Sequence, residues 1–469
     1  MTSAAHAFWR PESVRDAVGG AWLTPPGRAP AIGGGAAIDT RAIEPGQVFF
    51  ALRGERTDGH RFLGQALGAG AAAAVIDSPD AAGDLPPGLP VLRVPDARAA
   101  LGRLAARYRR ALSPARFIAV TGSNGKTTTT RMIDACLRTG LRGRCSAKSF
   151  NNDLGVPLTI LAARPDDQYV ICEVGMNAPG EIEPLSAIIR PHVAVITSIG
   201  RAHLEAMGSL GAIAAEKAAL ASHLEPGGLV VLNADAPALQ PWRERFGRVV
   251  TFGAASDAGL RVSGVTEREN GISFVLDGRS EFSLPVLGAH NAANAAAAIA
   301  VARELGLADE AVRAALAGFQ PAEMRLVRTR LGSIEIINDA YNANPDSMAA
   351  ALRTLRAAAP ASARRVAVLG DMLEMGAAGP DAHRDLGRLI AQTRPASLVI
   401  LVGPLAALAA EPLASAGIDV ARLPDLDAPG AAAAAGLLRE GDCVLLKGSR
   451  GMRLERLLWA LRERAPANA

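Results

Sequence analysis

The run Ala119-Val120-Thr121-Gly122-Ser123-Asn124-Gly125-Lys126-Thr127-Thr128-Thr129 carries the residue types that hold a nucleoside triphosphate. Gly122 and Gly125 let the backbone turn tightly, so that the N–H groups of Ser123, Asn124 and Thr128 can point at phosphate oxygens. Lys126 can reach the β- and γ-phosphates, and the Thr127 hydroxyl suits Mg²⁺. The usual spacing of such loops places a glycine at position 120, where Val120 stands, so this is a shortened relative of the common form.

A triphosphate loop needs a metal site and a partner reaction. Glu173, after the apolar run Gln168 to Cys172, is the nearest carboxylate suited to Mg²⁺ together with Thr127. His203, in Gly200-Arg201-Ala202-His203-Leu204-Glu205, reads alone as a structural histidine and, beside a phosphate site, as a ligand for a second divalent ion. Lys217, in an alanine-rich helical run, reads from its neighbours alone as an exposed helix lysine.

These groups need strands to place them. Phe117 to Val120, Gln168 to Cys172 and His192 to Ile199 are β-branched or apolar runs, each followed by polar residues and then a helix pattern. Alternating strands and helices imply a mostly parallel sheet, whose ligand crevice lies beyond the carboxyl ends of the strands, where Lys126, Glu173 and His203 all fall. Asn270-Gly271 and Asp277-Gly278 punctuate a hairpin appendage between Leu260 and Leu284. His290-Asn291-Ala292-Ala293-Asn294 opens a long alanine helix.

The pattern restarts near Phe319-Gln320-Pro321. Strands Ile334 to Ile337, Val366 to Leu369 and Cys443 to Leu446 end in Asn338-Asp339-Ala340-Tyr341-Asn342-Ala343-Asn344-Pro345, Gly370-Asp371-Met372-Leu373-Glu374 and Lys447-Gly448-Ser449-Arg450-Gly451. Asn344 suits a helix N-cap with Pro345 in the first turn. Before Ser113-Pro114 lies a small α/β module with Asp39-Thr40-Arg41 and Arg53-Gly54-Glu55-Arg56-Thr57-Asp58-Gly59-His60, either a polar-ligand grip or solvated loops. The expected architecture is therefore α/β in three domains. Residues 1–112 form a small α/β domain, 113–321 a central phosphate-loop parallel-sheet domain, and 322–469 a Rossmann-like α/β domain.

Composition limits the alternatives. At 469 residues the chain exceeds one compact core. Aromatic residues make up 4% and the net charge is +4, with Lys and Arg scattered, which disfavours nucleic-acid binding. Cys136, Cys145, Cys172 and Cys443 show no metal or disulfide spacing and suggest reduced thiols in a cytoplasmic protein. Met1 to Trp9 lacks the pattern of a leader, and the apolar run Leu398 to Ala410 is too short to span a bilayer.

Taken together, Thr121 to Thr128, Glu173, His203 to Glu205 with Lys217, and His290 to Asn294 resemble the Mur ligase family, ATP-dependent amide-forming enzymes of peptidoglycan precursor synthesis. Asp39-Thr40-Arg41, Phe150 to Pro157, Asn338 to Pro345, Gly370-Asp371-Met372 and Lys447 to Arg450 are most similar to the branch that joins D-alanyl-D-alanine to UDP-N-acetylmuramoyl tripeptide. The Asp-Asn-Pro-Arg tetrapeptide typical of the diaminopimelate-adding branch is absent from the sequence.

The resemblance implies that Lys126 and Thr127 serve ATP and Mg²⁺, and that Glu173 and His203 hold two metal ions. It also implies that Lys217 carries a CO₂-derived carbamate able to coordinate or orient a metal. Asn291, Asn294, Arg325 and Asp339 would contact the nucleotide. Thr40, Arg41, Asn151 and Asn152 would hold the UDP-muramoyl peptide, and Asn344, Asp371, Lys447 and Arg450 the dipeptide side.

It further implies a monomer whose domains close on their ligands. Two departures stand out: Met324 replaces a frequent glycine before Arg325, and Ala178-Pro179 replaces a histidine-containing turn after Glu173. A folylpolyglutamate synthase-like ligase and a nucleotide-switched binding protein are the competing readings. The first would lack a counterpart of the Asp39-Thr40-Arg41 module, and the second would hydrolyse nucleotide without an acceptor.

Overall fold

Runs of β-branched and apolar residues bounded by glycine turns become the strands of three sheets in the computed structural model, which describes residues 7–27, 31–55, 57–78, 85–147 and 149–464. Arg56 and the segment 1–6 lie outside the described residues. The first sheet has the order β1-β5-β4-β3-β2, from Ala21–Thr24 (β1), Ala36–Ala37 (β2), Val48–Phe50 (β3), Ala73–Ile76 (β4) and Val91–Arg93 (β5). Only its β1–β5 pair is antiparallel.

The second sheet has nine strands: Arg116–Thr121 (β6), Gly143–Cys145 (β7), Tyr169–Glu173 (β8), Val193–Ile196 (β9), Leu229–Asn233 (β10), Val249–Gly253 (β11), Leu260–Arg268 (β12), Gly271–Leu276 (β13) and Ser280–Leu284 (β14). Their order, β14-β13-β12-β11-β10-β9-β6-β8-β7, puts the phosphate-loop strand β6 between β9 and β8, all parallel. The expected hairpin is a three-stranded antiparallel meander, β12 to β14, continuing the sheet at its edge. Every residue of β8 and β9 is buried, as strands covered by helices on both faces require.

The third sheet, order β15-β16-β20-β17-β18-β19, contains Val327–Leu331 (β15), Ile334–Asp339 (β16), Arg365–Gly370 (β17), Leu398–Val402 (β18), Asp419–Leu423 (β19) and Cys443–Lys447 (β20). It is parallel except for β15 at one edge. The apolar run from Leu398 is thus the buried strand β18 and the turn beyond it. Among the described residues no helix is long and apolar enough to cross a membrane. All four cysteines are free thiols, and burial pushes the Cys136 and Cys145 thiols up to about 12.

The two seams between domains differ in chemistry. Trp9, Tyr108, Phe117 and Val156 belong to one continuous apolar core that joins the first two domains. The helix Ala97–Ala111 reinforces it: Tyr108 Oη donates to Ala163 O at 2.8 Å, and the buried Arg109 donates to Ile189 O and pairs with Glu225 at 3.0 Å. The third domain meets the second through many polar contacts, including Arg201 N–H to Asp346 Oδ2 at 2.9 Å. Apolar cores resist separation in proportion to the area they bury, whereas polar seams exchange readily with water.

Candidate active site

The carboxyl ends of β9, β6 and β8 lie side by side, with Thr121 opposite Ile196 and Val120 opposite Glu173. That register brings the loop Gly122–Gly125, Glu173 and the turn Thr197–His203 to one crevice. Gly122 has φ +152°, and a Cβ there would lie 1.9 Å from Thr197 Oγ1, so the loop passes where only glycine fits. Gly125, φ +84°, starts the helix Lys126–Leu137 against the side chain of Asn294. The loop is braced from β9: Thr197 Oγ1 donates to Asn124 O at 2.6 Å, Asn124 N–H to Ser198 Oγ at 2.8 Å, and Ser123 N–H to Ser198 O at 2.9 Å.

Lys126 Nζ donates to Gly122 O at 2.8 Å, which curls the side chain over its own loop. Burial depresses its pKa; Glu173 opposes that shift and Arg325 adds to it. Glu173 is 1% exposed. Its Oε1 accepts from Asn151 Nδ2 at 2.9 Å, while Oε2 is buried without a partner among the described residues. An unpaired buried carboxylate oxygen is costly unless a cation meets it, so Glu173 fits a metal ligand. Among the described residues no three His, Cys, Asp or Glu side chains form a ready-made cage. The available donors suit an ion that keeps water and phosphate oxygens, as Mg²⁺ does.

Lys217 corrects the reading from its neighbours alone: the side chain is 1% exposed, not solvated. It lies on the helix Leu210–Ala218, no carboxylate pairs with it among the described residues, and burial and then the charge of Lys126 depress its pKa well below the lysine range. His203 takes a left-handed φ of +59° at the start of the short helix Leu204–Met207, with Nδ1 3.7 Å from Glu374 Oε2 of the third domain.

A cavity of about 390 Å³ opens over the loop, lined by Ser123 to Thr128, Asn291, Asn294, Arg325, Asp339, Asn344 and Lys447. The last four come from the third domain. Arg325 stacks over the Tyr341 ring at 4.1 Å, between Met324 and Leu326, both with left-handed φ. Lys447, 2% exposed, pairs with Asp339 Oδ2 at 3.0 Å. Asn344 caps the helix Pro345–Ala358 in a capping box with Ser347 and reaches Asn124 in the loop.

Several residues expected at the peptide substrates are engaged within the protein. Asn151 holds Glu173, and Asn152 Oδ1 accepts from Leu154 and Gly155 N–H. Asp371 is buried and accepts from Ala406 N–H, and Arg450 pairs with Glu455. Arg41, largely exposed, is paired with Asp39 at 2.6 Å, and Thr40 meets Gln65 at 3.3 Å. Asn344 and Lys447, expected on the dipeptide side, line the same cavity as the phosphate loop, because β16 and β20 are neighbours with Asp339 opposite Lys447. Sequence reading passed over Asn233 and Asp235, which also line this cavity. Asn233 ends strand β10 and Asp235 follows it, and a polar strand end is itself the signal for a ligand contact.

Three family models match the chain: "Mur ligase family, catalytic domain" over residues 35–109, "Mur ligase middle domain" over 120–302 and "Mur ligase, glutamate ligase domain" over 324–450. A relative from Bacillus subtilis (strain 168), named UDP-N-acetylmuramoyl-tripeptide–D-alanyl-D-alanine ligase, is 38% identical over 90% of this chain and 92% of its own. A crystal structure of MurF from Acinetobacter baumannii superposes with a TM-score of 0.85 at 30% identity, covering 97% of this chain and 99% of that one. MurF from Thermotoga maritima in complex with ADP superposes with a TM-score of 0.78 at 25% identity, over 92% and 98% of the two chains. With identity at this level running through all three domains, the chain belongs to the Mur ligase family and within it is most like MurF.

Proposed function

We propose that this protein is a cytoplasmic, monomeric ligase that uses ATP to join D-alanyl-D-alanine to UDP-N-acetylmuramoyl tripeptide during peptidoglycan precursor synthesis. The observation that carries this reading is a cavity in which the phosphate loop faces Arg325, Asp339, Asn344 and Lys447 of the third domain. The similarity to ligases of that name, one of them crystallised with ADP, supports the choice of substrates. In this reading residues 1–112 hold the UDP moiety, 113–321 bind ATP, and 322–469 bring the acceptor and close over the nucleotide.

A carboxylate resists attack by an amine because its own charge repels the nucleophile. The tripeptide carboxylate therefore first takes the γ-phosphoryl group of ATP, releasing ADP and leaving an acyl phosphate. The dipeptide amine then adds to the acyl carbon, and the tetrahedral intermediate expels phosphate. The loop N–H groups and Lys126 hold the phosphates and offset the charge that accumulates on them. Arg325, fixed over Tyr341, supplies a second cation from the opposite wall.

Thr127, Glu173, His203 and a carbamylated Lys217 would hold two Mg²⁺ ions, which supply further neutralisation of phosphate charge. The buried amine of Lys217, driven toward its neutral form by burial, is the form that adds to CO₂. Closure would come from the third domain, since its seam is the more polar one. Small-angle scattering should show compaction with an ATP analogue plus the tripeptide nucleotide.

The deciding experiment measures ADP release with UDP-muramoyl peptides paired in turn with D-Ala-D-Ala, D-Glu or diaminopimelate. Release only with the tripeptide plus D-Ala-D-Ala is expected. Release with another pair, or with no acceptor at all, overturns the assignment.

A further inference from the structure

The candidate site is rich in cations. Lys126 and Arg325 both line the cavity over the phosphate loop, and Asp339 is already spent on Lys447. An acceptor that arrives as an ammonium meets net repulsion unless an anion guides it. Glu374 is placed to do so. It sits in the turn Leu373–Ala378 beyond strand β17 of the third domain, the domain that would bring the acceptor. Its carboxylate crosses the seam to the reaction side, with Oε2 3.7 Å from His203 Nδ1 of the central domain. From its own domain Asn342 Nδ2 approaches the same oxygen at 3.5 Å.

Two features argue against a merely structural carboxylate. The side chain is 44% exposed, so it opens to the seam instead of being sealed in it. Both neighbours stand at or beyond the outer limit of a hydrogen bond, and among the described residues no Lys or Arg pairs with it. The turn itself is firmly held. His383 Nε2, fully buried, accepts from Met372 N–H at 3.0 Å, and Leu373 N–H donates to Ser449 Oγ at 2.9 Å. A free carboxylate on a rigid turn, aimed at a cationic site across a polar seam, is a preorganised ammonium receptor.

We infer that Glu374 binds the acceptor's ammonium group and seats the amine beside the acyl carbon, with Asn342 and His203 steering the carboxylate. This rests on the ligase reading above and assigns the residue that recognises the charged end of the acceptor.

The test compares wild type with Glu374→Gln and Glu374→Asp by steady-state kinetics, varying D-Ala-D-Ala, ATP and the tripeptide nucleotide in turn. Removing the charge should raise KM for D-Ala-D-Ala roughly tenfold or more, with the other two KM values within about twofold. Aspartate should recover part of the loss. An acceptor KM that stays put in Glu374→Gln, or three KM values that rise together as a broken domain seam would cause, overturns the inference. Thermal unfolding and ATP binding confirm that each variant is folded. If wild type ignores D-Ala-D-Ala but ligates another amine, the function assignment falls while the Glu374 role is still read from that amine's KM.

Discussion

Asn344 and Asn124, 220 residues apart in sequence, exchange side-chain amides across the seam between the third and central domains: Asn344 Nδ2 donates to Asn124 Oδ1 at 2.9 Å, and Asn124 Nδ2 lies 3.5 Å from Asn344 Oδ1. The same Asn344 Oδ1 accepts Ser347 N–H and so caps the helix Pro345–Ala358. One side chain thus starts a helix in one domain and touches the phosphate loop of another.

Those two jobs separate by mutation. Asn344→Ala loses cap and bridge and should cost about 1 kcal/mol of stability, whereas Asn344→Ser keeps the cap. Both should raise KM for ATP by about 2- to 10-fold, the worth of a typical hydrogen bond. Thermal unfolding reads the first effect and kinetics the second; a serine variant with the wild-type KM would show that the bridge contributes nothing to nucleotide binding.

Lys126 Nζ makes its hydrogen bond to the loop's own Gly122 O, so the fold does not hang on it. Lys126→Ala should lower kcat by about 10³-fold or more while circular dichroism and Tm stay close to wild type. A folded variant that still ligates at a near-normal rate would remove Lys126 from the phosphate role.

Lys217 carries a pH signature. In the unfolded chain its amine titrates near the ordinary 10.5, but in the fold burial holds it well below that. Between the two values the unfolded chain binds more protons, so stability rises with pH and the penalty vanishes above 10.5. In CO₂-free buffer at pH 7, Lys217→Met should therefore be more stable than wild type by on the order of 1–3 kcal/mol, a gap that closes toward alkaline pH. Lys217→Ala should lose activity and regain part of it with short carboxylic acids. A pH-independent gap would mean the amine is solvated in the fold.

Met324 and Leu326 hold φ values of +56° and +54° on either side of Arg325. Left-handed backbone strains a side-chain-bearing residue by about 1 kcal/mol, so Met324→Gly should stabilise the protein by up to that amount in urea unfolding. Leu326→Gly should do the opposite, because its side chain is buried in the third domain's core. Destabilisation by Met324→Gly would show that its side-chain contacts outweigh the strain.

Much of the site's raw material was legible in the chain. Gly122, Gly125, Lys126 and Thr127 announce a phosphate loop because close backbone approach and a cation are needed at fixed spacing. The Asn344-Pro345 helix start follows from local capping chemistry and is where the structure has it. Strand ends at Glu173, Asp339 and Lys447 follow from the period and length of the apolar runs.

What sequence could not decide depends on groups far apart in the chain. Lys217 reads as an exposed helix lysine from its neighbours, and only the packing of the central domain buries it. Asn151 becomes the partner of Glu173 through a loop 22 residues upstream, and Asn344 joins the phosphate loop because the third domain folds back over the cavity. Local propensity fixes elements and caps. Burial, orphaned oxygens and contacts across seams are properties of the assembled sheets, since they depend on which elements share a face.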